Sequence, residues 1–464
     1  MRLPSRPALP AVLLAALSLL AANPARAQFF ATCDTASQGE LERSLSAYQE
    51  HNFRLAHKFL DGYYLQTELP DEFEHVSLAA IQAGLAAGAS RRSGLLFHAY
   101  SGYAFCAWLI TADGVVGAVT PIGGDDYESL ALTLRAALGI AASEQSRSPR
   151  RRGVRPAQTA PANGGDPDEL LVRLSDVLIP APVRGALTDG GIDSLLVTPL
   201  ASTATLPLAA LPVDAERRLV DVASIALLAD HGELTRSAVT RSRSMQPALI
   251  AGDPVADDEE WEFPPLPGAR AEAAAVAHRL DTDALLGAAA TREALTRRIG
   301  AEPSLALIYL ATHGIASSSN PLDASFLLLA DARWPAAEIQ NLALEGRPLV
   351  VLSACQTGLG KDFDVGTMGM ARAWARAGAA EVVMSLWNVD DDATRELMLE
   401  FIDAAAELPA DRALRRAMLT RRSEDPDIAG WASFAVLGRP GVLAPAARQA
   451  PPAESHSVPA DEAT

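Results

Sequence analysis

Hydrophobic and polar positions change their period near residue 93. Before it, apolar residues recur at roughly helical spacing, which predicts a short helical segment over residues 28–92. After it, three short apolar runs predict strands at Leu95–Ser101, Ala104–Ile110 and Val115–Val119. Asp113 and Gly114 separate the last two runs, and an Asp-Gly pair in that position is typical of a hairpin turn.

From Leu170 onward, strand-like runs alternate with helix-like ones. The predicted strands are Ser194–Thr198, Leu219–Ala223, Ala248–Ala251, Leu305–Thr312, Pro348–Ala354, Glu381–Leu386 and Trp431–Leu437. Such alternation favours an α/β fold with a mostly parallel sheet covered by helices on both faces. We therefore predict one large domain over residues 93–440.

Three stretches lack this periodicity. A flexible loop rich in Arg and Pro is predicted near residues 143–166, and a disordered tail over residues 441–464. The acidic run Asp253–Glu262 favours a solvated loop over a calcium site, because its carboxylates lack the spacing of a calcium loop.

The first 27 residues have the three parts of a secretory signal peptide. Arg2 and Arg6 come first, an apolar run from Ala8 to Leu20 follows, and Ala25-Arg-Ala27 ends the segment. The run is shorter than the roughly 20 residues that a membrane anchor needs, and no later segment is long enough either. We predict cleavage before Gln28 and export to the periplasm or the medium.

Charge and cysteine content narrow the function further. A formal net charge of −18 argues against nucleic acid as a partner, since phosphate binding needs a concentrated basic face. The abundance of arginine and alanine suggests a bacterial source. In an oxidising compartment Cys33 and Cys106 could form a disulfide bond, which would leave Cys355 as the free thiol.

Two of the predicted strands end at chemically active side chains. One run ends at His313-Gly314, and the other ends at Cys355, with Gly358 close behind. Ligands bind outside the carboxyl ends of parallel strands, where an imidazole can take the proton of a thiol and activate it for acyl transfer. The N–H groups of Gly314 and Cys355 could then stabilise an oxyanion.

Singly, Cys355 would be read as a small buried hydrophobe and His313 as a structural histidine. Together they end comparable runs roughly 40 residues apart, near the spacing of about 50 found between the caspase His and Cys. The joint pattern favours a catalytic dyad.

Six motifs occur in order along the chain: Leu206–Pro212, Leu266–Arg270, Leu310-Ala-Thr-His-Gly314, Leu352-Ser-Ala-Cys-Gln-Thr-Gly-Leu-Gly360, Ser385-Leu-Trp-Asn-Val-Asp-Asp391 and Trp431–Gly438. Together they resemble the CHAT domain, a bacterial relative of caspases and separases. The resemblance implies a caspase-like fold and a cysteine endopeptidase acting on protein or peptide, with His313 and Cys355 as the dyad and with no metal or cofactor. Many relatives carry tetratricopeptide arrays before the CHAT domain, where an activating protein would bind. This chain has a short helical segment instead, so its activating protein is unidentified.

Resemblance to separases also suggests a specificity pocket. Acidic residues after a similar Leu-Trp strand end bind arginine there, and this chain offers Asp390, Asp391 and Asp392, with Asp391 as the best match. A carboxylate would favour an Arg or Lys substrate side chain. The alternative is an acidic start to the next helix, which complements the helix dipole.

Two other functions compete with the peptidase. The first is a non-catalytic caspase-like module that binds a partner. The second is a thiol oxidoreductase, which is disfavoured because no Cys-x-x-Cys occurs in the chain.

Overall fold

The computed structural model describes residues 33, 35–60, 75–88, 92–138, 150–151, 165–256, 261–263, 265–315, 317, 322–354, 360–363, 366–387 and 391–444. Its helices are α1 Gln38–Leu60, α2 Leu78–Ala86, α3 Gly124–Ala137, α4 Pro167–Leu178, α5 Ala181–Asp189, α6 Leu219–Val222, α7 Pro267–Arg279, α8 Arg292–Ala301, α9 Ala336–Ile339, α10 Met370–Ala377, α11 Asp391–Ala405, α12 Ala410–Glu424 and α13 Ile428–Trp431.

The strands up to residue 300 are β1 Ser93–Tyr100, β2 Phe105–Thr111, β3 Val115–Thr120, β4 Arg150–Arg151, β5 Ser194–Val197, β6 Ser224–Leu227, β7 Thr240–Arg241, β8 Ala248–Gly252, β9 Trp261–Glu262 and β10 Ala284–Leu286. The later strands are β11 Leu307–Thr312, β12 Gly314–Ile315, β13 Phe326–Leu328, β14 Arg333–Pro335, β15 Leu349–Ala354, β16 Gly360–Phe363, β17 Gly366–Gly369, β18 Glu381–Ser385, β19 Phe434–Leu437 and β20 Val442–Leu443.

One large sheet organises the fold. Its eleven strands lie in the order β10-β8-β11-β15-β18-β19-β6-β5-β1-β2-β3. The predicted α/β class with a mostly parallel sheet is confirmed. Strands β11 and β18 are buried along their whole length, as expected when helices cover both faces of a parallel sheet.

The sheet contains two parallel groups that run in opposite directions. Strands β10, β8, β11, β15 and β18 form the first group, and β19, β6, β5 and β1 form the second. The two groups meet at the antiparallel pair β18–β19. The carboxyl ends of the groups therefore lie at opposite edges of the sheet, which we call the His313 edge and the His231 edge after the histidines described below.

The N-terminal helical segment is bound to β2, the antiparallel neighbour of β1. A disulfide bond joins Cys33 to Cys106 on β2, with the Cα atoms 5.9 Å apart. Trp108 on the same strand donates its indole N–H to the carbonyl of Ala36 at 3.0 Å. The predicted hairpin between β2 and β3 is confirmed, with Thr111 N–H donating to the carbonyl of Gly114 at 2.9 Å.

Two predicted strands are wrong in whole or in part. Leu219–Val222 forms the one-turn helix α6, because Asp221 accepts the backbone N–H of Arg218 and the guanidinium of Arg422. These contacts hold the turn closed, and the strand begins only at Ser224. The closing apolar run similarly starts as helix α13 and becomes a strand only at Phe434.

The loop and the tail are more ordered than composition predicts where the structure describes them. Within the predicted loop, Arg150–Arg151 pairs with Trp261–Glu262. Within the predicted tail, Val442–Leu443 pairs with β7. Backbone pairing can order a segment that has few apolar side chains.

Helices that could cross a bilayer are absent from the described part of the chain. The predicted signal peptide lies outside that part, as do residues 445–464.

Candidate functional site

Strands β11 and β15 end at the same level of the sheet. They are parallel neighbours, and their last residues, Thr312 and Ala354, lie opposite each other. The next residue along each chain is His313 in one case and Cys355 in the other. Parallel strands lie about 4.8 Å apart, so the two strand ends lie side by side. Cys355 lies outside the described residues, and the contact of its thiol with His313 stays a prediction.

The backbone around His313 is held by the neighbouring small sheet. The His313 carbonyl accepts the N–H of Leu328 at 2.9 Å. The hydroxyl of Thr312 donates to the Leu328 carbonyl at 2.6 Å. Two hydrogen bonds to one residue of β13 therefore fix the chain on both sides of the peptide that links Thr312 to His313.

An aromatic side chain packs against the imidazole of His313, which is only 2% exposed. The ring of Phe263 lies 5.2 Å from it, centroid to centroid. The ring centroids of Phe326 and Phe263 are 6.4 Å apart. The guanidinium carbon of Arg333 lies 4.9 Å from the centroid of the Phe326 ring. This packing restricts rotation of the imidazole and excludes water from one side of it.

The N–H of Gly314 points away from β13. Gly314 lies opposite Leu327 in the antiparallel β12–β13 pair. The bond from Leu328 N–H to the His313 carbonyl flanks that pair, which makes it a non-hydrogen-bonded pair whose N–H groups face outward. The Gly314 N–H is therefore not used in pairing with β13, and its oxyanion role stays a prediction.

Asp253, at the carboxyl end of β8, was missed as part of this region. The predicted solvated loop is wrong for it, because Asp253 is only 9% exposed. Its carboxylate accepts the N–H of Leu266 at 3.0 Å and pairs with Arg270 at 2.9 Å. The motif Leu266–Arg270 thus anchors the start of α7 to the strand next to β11, and its role at this site is structural.

The remaining motifs lie at the end of β18. The N–H of Leu386 donates to the carbonyl of Ser433 at 2.8 Å, and the indole of Trp387 donates to Ala429 at 2.9 Å. The first bond joins the Ser385-Leu-Trp motif to the closing Trp431–Gly438 motif, and the second joins it to helix α13. Asp391 and Asp392 are the first two residues of α11, as the helix-start alternative requires. Their side chains and the whole of Asp390 lie outside the described residues.

A second strand end in the chain has the same local sequence. Leu228-Ala-Asp-His-Gly232 repeats the pattern of Leu310-Ala-Thr-His-Gly314, and it follows β6 of the second sheet group. The repeat is visible in the sequence itself, although hydrophobic periodicity does not reveal it. Since the two groups run in opposite directions, His231 lies at the edge opposite His313.

His231 has different neighbours from His313. It is 1% exposed, and its Nε2 lies 2.9 Å from the Thr198 hydroxyl. The ring of Tyr48 lies 5.3 Å away. Burial lowers the pKa of His231 to about 4, so this imidazole is a poor base near neutral pH. With Cys33 and Cys106 in the disulfide, the chain has one cysteine left, and it follows β15 rather than β6.

Comparisons with known proteins agree with this architecture. The CHAT domain model matches residues 168–439. Two structures of the Saccharomyces cerevisiae separase–securin complex align with TM-scores of 0.54 and 0.56 at 11% and 10% identity, covering 88% and 89% of this chain. The alignments cover 34% and 35% of the chains in those structures. This chain therefore spans about a third of their length.

The Arg-specific cysteine proteinase gingipain R aligns with a TM-score of 0.42 at 10% identity, over 69% of this chain and 76% of its own. No curated protein matches the sequence.

Proposed function

The chain belongs to the CHAT domain family, and we propose that it is a cysteine endopeptidase with Cys355 as nucleophile and His313 as general base and acid. The observation that carries the proposal is the register of β11 and β15, in which the residues before His313 and Cys355 lie opposite each other.

The proposed reaction follows from these positions. The imidazole of His313 takes the proton of the Cys355 thiol, and the thiolate attacks the carbonyl carbon of a peptide bond. The N–H groups of Gly314 and Cys355 stabilise the oxyanion. The imidazolium then protonates the leaving amine, and water hydrolyses the thioester to release the acid and the free thiol. Packing of Phe263 against His313 supports the role by holding the ring in one orientation.

Cleavage-site profiling of the purified mature protein on a proteome-derived peptide library tests the proposal. We expect cleavage by the wild type and none by Cys355→Ala. A thiol-reactive probe should label Cys355 much faster than it labels the thiol of an unfolded control. His278→Gln changes an exposed histidine of α7 and should leave both cleavage and labelling unchanged. Slow labelling and no cleavage would leave the non-catalytic binding module as the better reading.

We further propose a preference for Arg or Lys before the cleaved bond, with Asp391 as the pocket carboxylate. It is supported by the start of α11 at Asp391, only a few residues after the end of β18. A carboxylate there would form a charge-assisted pair with a guanidinium.

Self-cleavage at Arg150–Arg152 is a consequence of that preference. Its support is the pairing of Arg150–Arg151 with Trp261–Glu262, since the next residue, Phe263, contacts His313. Intact-mass measurement of the wild type against Cys355→Ala after prolonged incubation should show cut chains only in the wild type. Identical uncut masses would exclude self-cleavage.

Export is proposed from residues 1–27 and is supported by the Cys33–Cys106 disulfide, because such bonds persist in oxidising compartments. The mass of the mature protein from a secreting host should correspond to a chain that begins at Gln28. An uncleaved chain would contradict this proposal without affecting the peptidase one.

A further inference from the structure

A large cleft lies at the His231 edge of the sheet, away from the proposed peptidase site. It has a volume of about 620 Å³, within the range of roughly 300–1,000 Å³ that is typical of small-molecule sites. Tyr48 of α1, the segment after β6 and residues of α10 line it. It therefore lies outside the carboxyl end of β6, close to the place where the sheet reverses direction between β18 and β19. In open α/β sheets ligands bind at such points.

The lining of this cleft is basic although the chain as a whole carries a net charge of −18. Two carboxylates, those of Asp230 and Glu233, contribute to it. The arginines that line it are Arg236, Arg347, Arg372, Arg376 and Arg439. Five guanidinium groups near two carboxylates produce a local excess of positive charge, which attracts anions.

Some of these arginines hold the wall of the cleft together. Arg439 donates to the carbonyls of Glu233 at 3.2 Å and Gly84 at 3.0 Å. Arg236 pairs with Asp230 at 3.3 Å. Both residues are engaged with the protein itself and contribute mainly shape and positive potential.

Arg347 and Arg376 are placed differently. Both are exposed, and neither guanidinium group has a hydrogen bond or an ion pair with another residue in the part of the chain that the structure describes. One precedes β15 and the other lies in the last turn of α10. Each can therefore turn its guanidinium fork towards a ligand without breaking an existing ion pair.

His231 supplies a polar group at the same place. Its Nδ1 is buried and has no hydrogen-bond partner among the described residues. When Nε2 accepts a hydrogen bond from Thr198, Nδ1 carries the proton and is a donor. This buried N–H has no partner among the described residues, so its dipole adds to the positive potential around the cleft.

We propose that this cleft binds a small multivalent anion, a phosphate ester or a polycarboxylate, through Arg347 and Arg376. Guanidinium groups pair with either kind of group in a bidentate manner. Peptide-bond cleavage by a thiolate is excluded here, because the one cysteine outside the disulfide follows β15. The proposal does not depend on the dyad, so the two can fail separately.

Calorimetric titration of the full mature chain, in the Cys355→Ala background and at constant ionic strength, tests the site. Pyrophosphate and citrate are the two probes. We expect saturable binding of at least one of them and a rise in the melting temperature, since a ligand that binds only the folded state stabilises it. Binding of pyrophosphate alone identifies the ligand as a phosphate ester, and binding of citrate alone identifies it as a polycarboxylate. Equal binding of both probes means that the site recognises the negative charge that the two classes share.

The double variant Arg347→Gln with Arg376→Gln should weaken binding about 100-fold, or about tenfold for each guanidinium that no longer pairs with the anion. Both positions are exposed, so the variant should fold, which circular dichroism checks. Arg298→Gln, an exposed arginine of α8, removes one charge elsewhere and should leave the affinity unchanged. No saturable binding of either probe, or an equal weakening in the control, would overturn the proposal.

Discussion

Two strands of the large sheet end in the same pattern, Leu-Ala-x-His-Gly, and the two histidines have different chemical surroundings. His313 follows β11, whose neighbour β15 leads into Cys355. His231 follows β6, whose neighbour β5 leads into Thr198, and the threonine hydroxyl lies 2.9 Å from the imidazole. The neighbouring strand thus decides what each histidine can do. One edge suits a thiol–imidazole pair, and the other forms an arginine-lined cleft.

The largest expected effect is at the first histidine. His313→Ala should lower kcat/KM of the proposed peptidase by about 10²–10⁴-fold, the usual contribution of general acid–base catalysis. Steady-state kinetics on the best peptide from profiling measures it, with His278→Gln as control. Activity within about tenfold of the wild type would remove His313 from the dyad and with it the contrast between the edges.

The next effect concerns the disulfide that attaches the N-terminal segment to β2. Replacing Cys33 and Cys106 by serine opens a bridge between residues 73 positions apart. This should cost about 4 kcal/mol of the free energy of unfolding, since cross-links over long loops restrict the unfolded chain most. Urea unfolding measures the change. We expect anion binding to suffer more than peptide cleavage, because Tyr48 of the same segment lines the cleft. Equal losses of anion binding and of peptide cleavage would contradict the separation of the two edges.

The free energy of unfolding should depend on pH through a carboxyl group at the His231 edge. Burial, followed by the charge of Asp411, raises the pKa of Glu381 at the start of β18 to about 7. The ordinary pKa of this side chain, 4.5, applies to the unfolded state. Between pH 4.5 and pH 7 the folded state therefore keeps a proton that the unfolded state has lost. Stability from this group is therefore lost as pH rises from about 4.5 to 7, by on the order of 3 kcal/mol.

Glu381→Gln imitates the protonated form and should remove this pH dependence. Urea unfolding at pH 5 and pH 8 should show the variant gaining stability relative to the wild type at pH 8 and little at pH 5. The same difference between the two proteins at both pH values would contradict the assignment.

The smallest effect distinguishes the two roles of Asp391. In a substrate pocket, Asp391→Asn should lower kcat/KM for an arginine peptide about tenfold relative to a peptide with an apolar residue there. As a helix start alone, it should cost only about 0.3–1 kcal/mol of stability and leave the preference unchanged. Paired kinetics and unfolding of the one variant separate these results, and Glu400→Gln, at an exposed position of α11, provides the control.

Local sequence was sufficient for most of the elements and for the position of His313. Apolar runs that stop at Thr312 and Ala354 predict two strand ends, and the structure has them side by side. Leu219–Val222 was mistaken for a strand because its side chains are strand-like, whereas its conformation is held by the distant Arg422. Asp253 was mistaken for solvated for the same kind of reason, since Arg270 is 17 residues away.

By itself, the sequence determined the α/β class, the family resemblance, the two strand ends with their candidate thiol and imidazole, and the cysteines available for a disulfide. Those properties depend on local periodicity and residue type. Only the tertiary structure decided that the sheet reverses direction between β18 and β19 and so sends two similar His-Gly ends to opposite edges. Strand order and direction depend on contacts between distant segments, which local patterns do not encode.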